Sequence, residues 1–220
     1  MRKTLSKLAG ALALAAAIAT PAAAQVGSDV VRGKQAGDLV LGLGAIGVLP
    51  SNGGRVDLIG GKPEASNSAS PQLDLSYFVT PQIALNLIAA TTRHDVSVKG
   101  SALGNLDLGH VWVLPPTLTL QFHPFPAARF SPYVGAGLNV SFFYGEGGRR
   151  TEPVNRLVVD TAVGFALNLG ADYEIAPNWL VNADLKKLFL RPDASVNSGL
   201  VHARVDLDPW IIGASVRYRF

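Results

Sequence analysis

The 220-residue sequence contains no cysteine, which excludes disulfide frameworks, thiolate zinc sites and cysteine nucleophiles and leaves only His and carboxylates as metal ligands. Charge is sparse at 16%, and beside 48% hydrophobic residues that is too little for a disordered chain. Long apolar runs are scarce as well. Past residue 24 the longest uncharged stretch, 108–128, carries Pro115, Pro116, Gln121, His123, Pro124 and Pro126, a set that rules out a transmembrane helix. The excess of basic residues is only nominal. Of 19 Lys and Arg, three (Arg2, Lys3 and Lys7) lie within the first 24 residues, which hold no acid, so 16 basic residues face 16 acidic ones in the rest. A neutral chain offers nucleic acid no electrostatic attraction.

What is present begins with a leader. A basic start, an Ala/Leu-rich run from Leu8 to Ile18, then Pro21 and Ala22-Ala23-Ala24 form the three-part layout of a secretory signal peptide. The pattern predicts a signal peptide over 1–24, cut before Gln25, and an exported domain over 25–220.

Beyond the leader the dominant signal is alternation at period two, the mark of strands whose faces meet different surroundings. Leu73, Leu75, Tyr77 and Val79 share one face while Gln72, Asp74 and Ser76 share the other. A second segment starts at Ile83 after only Thr80-Pro81-Gln82, which predicts a tight hairpin. Six more segments read alike: 38–49, 110–122, 132–143, 160–174, 179–190 and 202–220. Their connections alternate between long (50–70, 91–109, 144–159, 191–201) and short (80–82, 123–131, 175–178). Eight strands with long loops at one end and short turns at the other describe an all-β, eight-stranded antiparallel transmembrane β-barrel of the bacterial outer membrane. Closure is required, because an open sheet would leave an unpaired edge in hydrocarbon.

The bulky faces, such as Leu118/Leu120/Phe122 and Phe165/Leu167/Leu169/Tyr173, are expected to meet lipid, and the small or polar faces, such as Gly135/Gly137/Asn139 and Asn168/Gly170/Asp172, to line a narrow lumen. Tyr77, Phe78, Tyr173, Trp179, Tyr218 and Phe220 suit an aromatic girdle at the short-turn end, and Trp112, Phe142, Phe143 and Phe189 one toward the long loops. A soluble calyx around a ligand has the same alternation with the faces reversed, but it would crowd Leu, Phe and Tyr into its interior. The last strand alternates up to a terminal Phe220, a tail of the kind recognised by the outer-membrane assembly machinery.

Several segments together resemble the outer membrane protein W (OmpW) family. They are Leu85-Asn86-Leu87-Ile88-Ala89-Ala90-Thr91, Leu114-Pro115-Pro116-Thr117-Leu118, Pro132-Tyr133-Val134-Gly135-Ala136-Gly137-Leu138-Asn139, Gly170-Ala171-Asp172-Tyr173, Asn178-Trp179-Leu180-Val181-Asn182 and Asp206-Leu207-Asp208-Pro209-Trp210. The resemblance implies an eight-stranded outer-membrane barrel with a narrow channel for small hydrophobic solutes and no catalysis or cofactor. Carried over by position, an apolar lumen contact falls on Ile88. The aromatic that many relatives have on the seventh strand falls on Lys186, which shares its face with Asn182 and Asp184, so this lumen is expected to be more polar. Ile88, Asn86, Asn182 and Lys186 are the lumen and gate candidates.

Other motifs carry less. Gly42-Leu43-Gly44-Ala45-Ile46-Gly47 spells a dinucleotide fingerprint, but no helix follows to receive a phosphate, and glycines that relieve crowding inside a small barrel fit better. His94, Asp95 and Ser97 could be imagined as a lipid-modifying site at the loop rim. Adjacent strand residues point to opposite faces, however, and His94, His110, His123 and His202 read better as polar loop residues. Asp74, Asp172, Asp184 and Arg217, joined by Lys186 and Arg219, are expected to share inward faces in the short-turn half. Buried charge needs partners, so they form a salt-bridged network that either plugs the barrel or lines a polar exit, the plug better suiting so small an interior. Pro115-Pro116 removes two ladder donors, so the strand restarts or bulges there and opens a gap for lateral release into outer-membrane lipid. Arg149, Arg150 and Arg156 are expected at solvent or anionic head groups.

Overall fold

The computed structural model describes residues 31–148, 150–152, 154, 157–196 and 201–220. The leader, Arg149 and Arg156 lie outside the described residues. In chain order the strands are β1 (Leu39–Leu49), β2 (Gly53–Val56), β3 (Lys62–Ala65), β4 (Ser68–Phe78), β5 (Ile83–Ala90), β6 (Thr92–Ser101), β7 (Gly104–Leu114), β8 (Thr117–Phe122), β9 (Phe130–Gly147), β10 (Leu157–Val159), β11 (Ala162–Ala176), β12 (Trp179–Phe189), β13 (Asp193–Val196), β14 (Val201–Asp206) and β15 (Trp210–Arg219).

Eight of them close a ring. β1 pairs with β4, β4 with β5, β5 with β8, β8 with β9, β9 with β11, β11 with β12, β12 with β15, and β15 returns to β1, every pair antiparallel. The alternation in sequence becomes the two sides of this wall. Leu43, Leu73, Leu118, Phe165 and Leu169 stand outward, each at least half exposed, while Gln72, Asp74, Asn86, Thr119, Asn168 and Arg217 are buried inside. Apolar residues outside and polar residues inside reverse the calyx arrangement, and this is the pattern of a barrel whose outer solvent is lipid.

The expected long loops are largely strand. β6 and β7 carry the wall beyond the ring, with β3 on one side and the upper part of β9 on the other. A separate sheet of order β10-β13-β14-β2 stands beside them. What holds these pieces is apolar: Val56, Val98, Leu106, Leu108, Val154 and Leu157 form one buried cluster. The segment 202–220, read as one strand, is two strands in different sheets, because Asp208 at φ 29° and Pro209 turn the chain between β14 and β15. Likewise 110–122 is divided between β7 and β8 at Pro115-Pro116. The register is continuous across that division and no bulge forms.

At the opposite end residues 31–38 run beneath the barrel. Lys34 N–H donates to the Pro126 carbonyl (2.8 Å), Gly37 N–H to that of Phe78 (2.8 Å), and Arg32 N–H to the Glu174 carboxylate (2.7 Å). Phe78 is not a girdle residue. It shares the inward face with Asp74 and Ser76, and its ring centroid lies 5.0 Å from that of His123. Tyr77, Tyr173, Trp179 and Phe220 at this end, and Phe142 and Phe189 at the other, do face outward.

Candidate functional site

The interior is stratified. Within the strands that rise beyond the ring lies an apolar cavity of about 140 Å³, walled by Val48, Val98, Leu106, Val113, Leu188 and Ile211 among others. Phe143, assigned above to the outer girdle, lines this cavity instead. Its floor continues into the ring as a buried cluster of Ile46, Val48, Ala90, Ala166, Leu188 and Ile211. Aliphatic residues come inward here because the inward positions of β12 and β15 change from polar to apolar along the strands, and those of β1 from glycine to Ile46 and Val48. Ser215 gives way to Ile211, and Asp184 to Leu188.

Below this floor the lumen is ionic. Lys186, opposite Ile211 on one neighbour and Asn168 on the other, pairs with Asp184. Asp184 also accepts from the Tyr133 hydroxyl (2.7 Å) and from Asn168 Nδ2 (2.6 Å). Asn182 Nδ2 donates to the Tyr133 oxygen (3.0 Å) and to Asp172 (2.8 Å), which joins this group to the next. Arg217 spans Asp172 (3.0 Å) and Asp74 (2.7 Å), and Asn86 Nδ2 reaches Asp74 (3.2 Å) and Ser76 (2.9 Å). From below, Lys34 Nζ enters to 3.2 Å from Asp172. At the mouth Arg219 pairs with Glu174 (3.1 Å) and Arg32 with Asp38 (2.9 Å). Five cations, Arg32, Lys34, Lys186, Arg217 and Arg219, thus meet five carboxylates, Asp38, Asp74, Asp172, Glu174 and Asp184.

The expected network therefore forms, with two corrections to its layout. Asp184 and Lys186 lie against the apolar floor and not in the short-turn half, because the register sets Lys186 level with Ile211. Asn182 and Asn86, proposed as lumen contacts, are spent on carboxylates within the network. Ile88 is inward and buried but sits opposite Asp74 and Thr117, and it does not line the cavity. Sequence reasoning missed Tyr133, Glu174 and Lys34. Tyr133 shares the face of Gly135 and Asn139, and Glu174 that of Asp172, so strand parity could have found both; Lys34 precedes the first strand and carries no periodic signal. Burial pushes the Lys34 ammonium below its usual range, against the opposing pull of Asp172.

The histidines are not exposed loop residues: His94, His110 and His202 lie in β6, β7 and β14, and His123, in the short connection after β8, is buried. His123 is 1% exposed, its ring between Phe78 and Tyr133, and burial followed by the nearby Lys34 charge holds its pKa down to about 3. His94 is buried in the cavity wall. Its Nδ1 lies 2.6 Å from the Ser66 carbonyl, which can only accept, so Nδ1 carries the proton and Nε2 accepts from the Thr92 hydroxyl at 2.9 Å. With both nitrogens engaged and Asp95 turned outward, His94 activates no nucleophile. Among the described residues no group of three or more His, Asp or Glu is placed to hold a metal ion. The Gly42–Gly47 motif lies wholly within β1, where a Cβ at Gly44 would come 2.1 Å from the Ala214 carbonyl oxygen. Arg150 Nε turns to the Leu108 carbonyl (3.2 Å).

The wall beside the cavity is interrupted. Between the pairs Ile88↔Thr117 and Thr92↔Val113 the β5–β8 and β6–β7 ladders lapse at Ala89, Ala90 and Thr91, opposite Pro116, Pro115 and Leu114. On its other side the Pro-Pro segment is fastened to β9. Val140 N–H donates to the Pro116 carbonyl (3.1 Å) and Asn139 Nδ2 to both proline carbonyls (3.2 Å each). The slot is thus one-sided, and Pro115 on its lip lines the cavity.

Known proteins share this architecture. The chain is 31% identical over 207 residues to outer membrane protein W of Vibrio cholerae, covering 90% of this chain and 95% of the relative. It is 40% identical over 179 residues to the outer-membrane protein y4mB of Sinorhizobium fredii, covering 80% and 76%. The crystal structure of the outer membrane protein OprG from Pseudomonas aeruginosa superposes with a TM-score of 0.77 at 28% identity, covering 86% of this chain and 99% of that one. The profile of the OmpW family matches residues 35–220, and the chain is a member of that family, an eight-stranded barrel of the bacterial outer membrane.

Proposed function

We propose that the protein takes up small hydrophobic or amphipathic molecules at its extracellular end and releases them sideways into the outer membrane, without catalysis. The observation that carries this reading is the stratification: an apolar cavity resting directly on a bonded ionic layer. A cavity of about 150 Å³ lined by aliphatic residues is large enough for a benzene ring, and the one here is of that order. The molecule cannot profitably continue downward, because it would have to displace paired charges that have no other solvent. The slot at Ala89–Thr91 supplies the alternative exit, at the level of the cavity and facing lipid.

In this reading Lys186 and Asp184 cap the ionic plug, and Asp74, Asp172 and Arg217 form its body. The exposed Phe220, whose N–H donates to the Leu39 carbonyl (2.9 Å), serves as the assembly signal, and residues 1–24 as the export signal. The reading is tested by two measurements on one reconstituted sample. In a planar bilayer the folded barrel should pass no discrete ionic current, while in proteoliposomes with a lipopolysaccharide outer leaflet it should speed the arrival of naphthalene in the membrane interior. Discrete ohmic steps would overturn the plug. Silence together with unaccelerated naphthalene would instead favour a closed barrel that serves structure or surface interaction, for which the pairing of the charges in the network speaks.

A further inference from the structure

The lip of the slot carries a bond that the uptake path does not use. Thr91, in the gap between β5 and β6, lies 2.7 Å through its hydroxyl from the hydroxyl of Tyr144 on β9. These residues are not on neighbouring strands. Thr91 falls level with Leu114 of β7, and Leu114 pairs with Phe142 of β9. Tyr144 pairs with Trp112, so it stands on the lipid-facing side, one outward position beyond Phe142, and is 43% exposed. To meet Thr91 its side chain crosses the outer surface of β7. It therefore ties the β5–β6 lip of the slot, where three successive residues lack ladder partners on the slot side, to the strand that is already fastened to the other lip through Val140 and Asn139.

We infer that Thr91 and Tyr144 form a clasp on the lipid side of the slot, and that opening this single hydroxyl pair gates the sideways release of the solute. The position favours such a role. Both hydroxyls stand on the outer surface of the wall, and each satisfies the other when the slot is shut. When the lips part, the two hydroxyls lose each other just where an amphipathic solute could offer its own polar group in exchange. Where backbone pairing is absent, one side-chain bond sets how often the lips separate. On the cavity side Thr92, Val113 and Pro115 line the space a solute would leave.

This inference rests on the sideways-release reading, and the test separates the two. Naphthalene arrival is timed in proteoliposomes with a lipopolysaccharide outer leaflet, for the wild type, Tyr144→Phe, Thr91→Val and the double variant. Each is first shown to run as a folded, heat-modifiable barrel, and its equilibrium binding of naphthalene in detergent is measured. Tyr144→Phe and Thr91→Val should each speed arrival about two- to tenfold, the leverage of one hydrogen bond. The double variant should be no faster than either single, and binding should stay unchanged. Wild-type acceleration that both variants merely equal, or effects that multiply in the double variant, would overturn the clasp and leave sideways release standing. Wild type and variants all at the protein-free rate would overturn the release reading itself.

Discussion

Arg217 Nη2 and Asp74 Oδ2 meet at 2.7 Å across an intervening strand, because Gly42 of β1, which lies between them, has no side chain to part them. A Cβ at Gly42 would come 2.9 Å from Arg217 Cγ and 3.2 Å from Asp74 Cβ. With its other nitrogen on Asp172, Arg217 compensates two buried carboxylates at once. Arg217→Met should therefore destabilise the barrel by about 3–5 kcal/mol, since it strands charge in a dry interior. Adding Asp74→Asn should restore most of that loss, since Asp172 keeps Lys34 as a partner. Urea unfolding in lipid vesicles checks both.

Gly44 illustrates the same economy at the backbone. Its missing Cβ would sit 2.1 Å from the Ala214 carbonyl oxygen, at the pairing of β1 with β15 that closes the ring. Gly44→Val should prevent closure, and the variant should lose its heat-modifiable band on cold electrophoresis. Gly47 has open space around its Cβ position, so Gly47→Ala should fold normally.

The wall was legible because a barrel in lipid sorts residues at period two with unusual contrast. Leu73, Leu75 and Tyr77 against Gln72, Asp74 and Ser76 fix the sides of β4 without any knowledge of its partners. Phe78 was misassigned by giving its aromatic type more weight than the parity that put it beside Asp74 and Ser76. What alternation cannot carry is height. Lys186 and Arg217 have the same inward character, yet register puts one against Ile211 and the other against Leu180. The long loops were opaque for a different reason: β10, β13 and β14 are short, and β10 and β13 are held by a shared apolar cluster instead of a lipid face, so none signals alone.

His123 gives a pH dependence. Its pKa is about 3 in the folded barrel, against about 6.5 for an unfolded histidine. Between those values the unfolded chain binds the extra proton, so stability should fall as pH is lowered from about 6.5 toward 3, by at most about 1.4 kcal/mol per pH unit. His123→Phe keeps a ring between Phe78 and Tyr133 and should flatten that part of the curve, leaving only the steeper loss where carboxylates protonate. A stability profile unchanged by the substitution would mean that His123 takes up its proton in the folded barrel as well.

Filling the cavity tests it as a vestibule. Val113 is 8% exposed, lines the same space as Ile211 and Leu188, and takes no part in the ionic layer. Val113→Trp should lower naphthalene transfer about tenfold, in keeping with the cost of overpacking an apolar site. The unfolding midpoint should fall less than for Arg217→Met.

The two ionic groups should separate under mutation. Lys186 and Asp184 form the upper one, while Arg217, Asp74, Asp172 and Lys34 form the lower, linked through Asn182 and Tyr133. Removing both charges of the upper pair, Asp184→Ala with Lys186→Ala, leaves no unpaired charge behind, so the barrel should still fold. The space gained joins the apolar floor to the Tyr133 hydroxyl, which loses its acceptor, but the lower layer still spans the lumen from β4 to β11. Planar bilayers should therefore remain silent with this double variant. Current should appear only when Arg217→Ser, Asp74→Ser, Asp172→Ser and Lys34→Ser are added, because only then is the layer that joins β4, β11 and β15 across the lumen replaced by small side chains that water can bypass. Current in the double variant alone would locate the barrier to ions at Lys186 and Asp184 instead, and would make the lower layer a lining and not a plug.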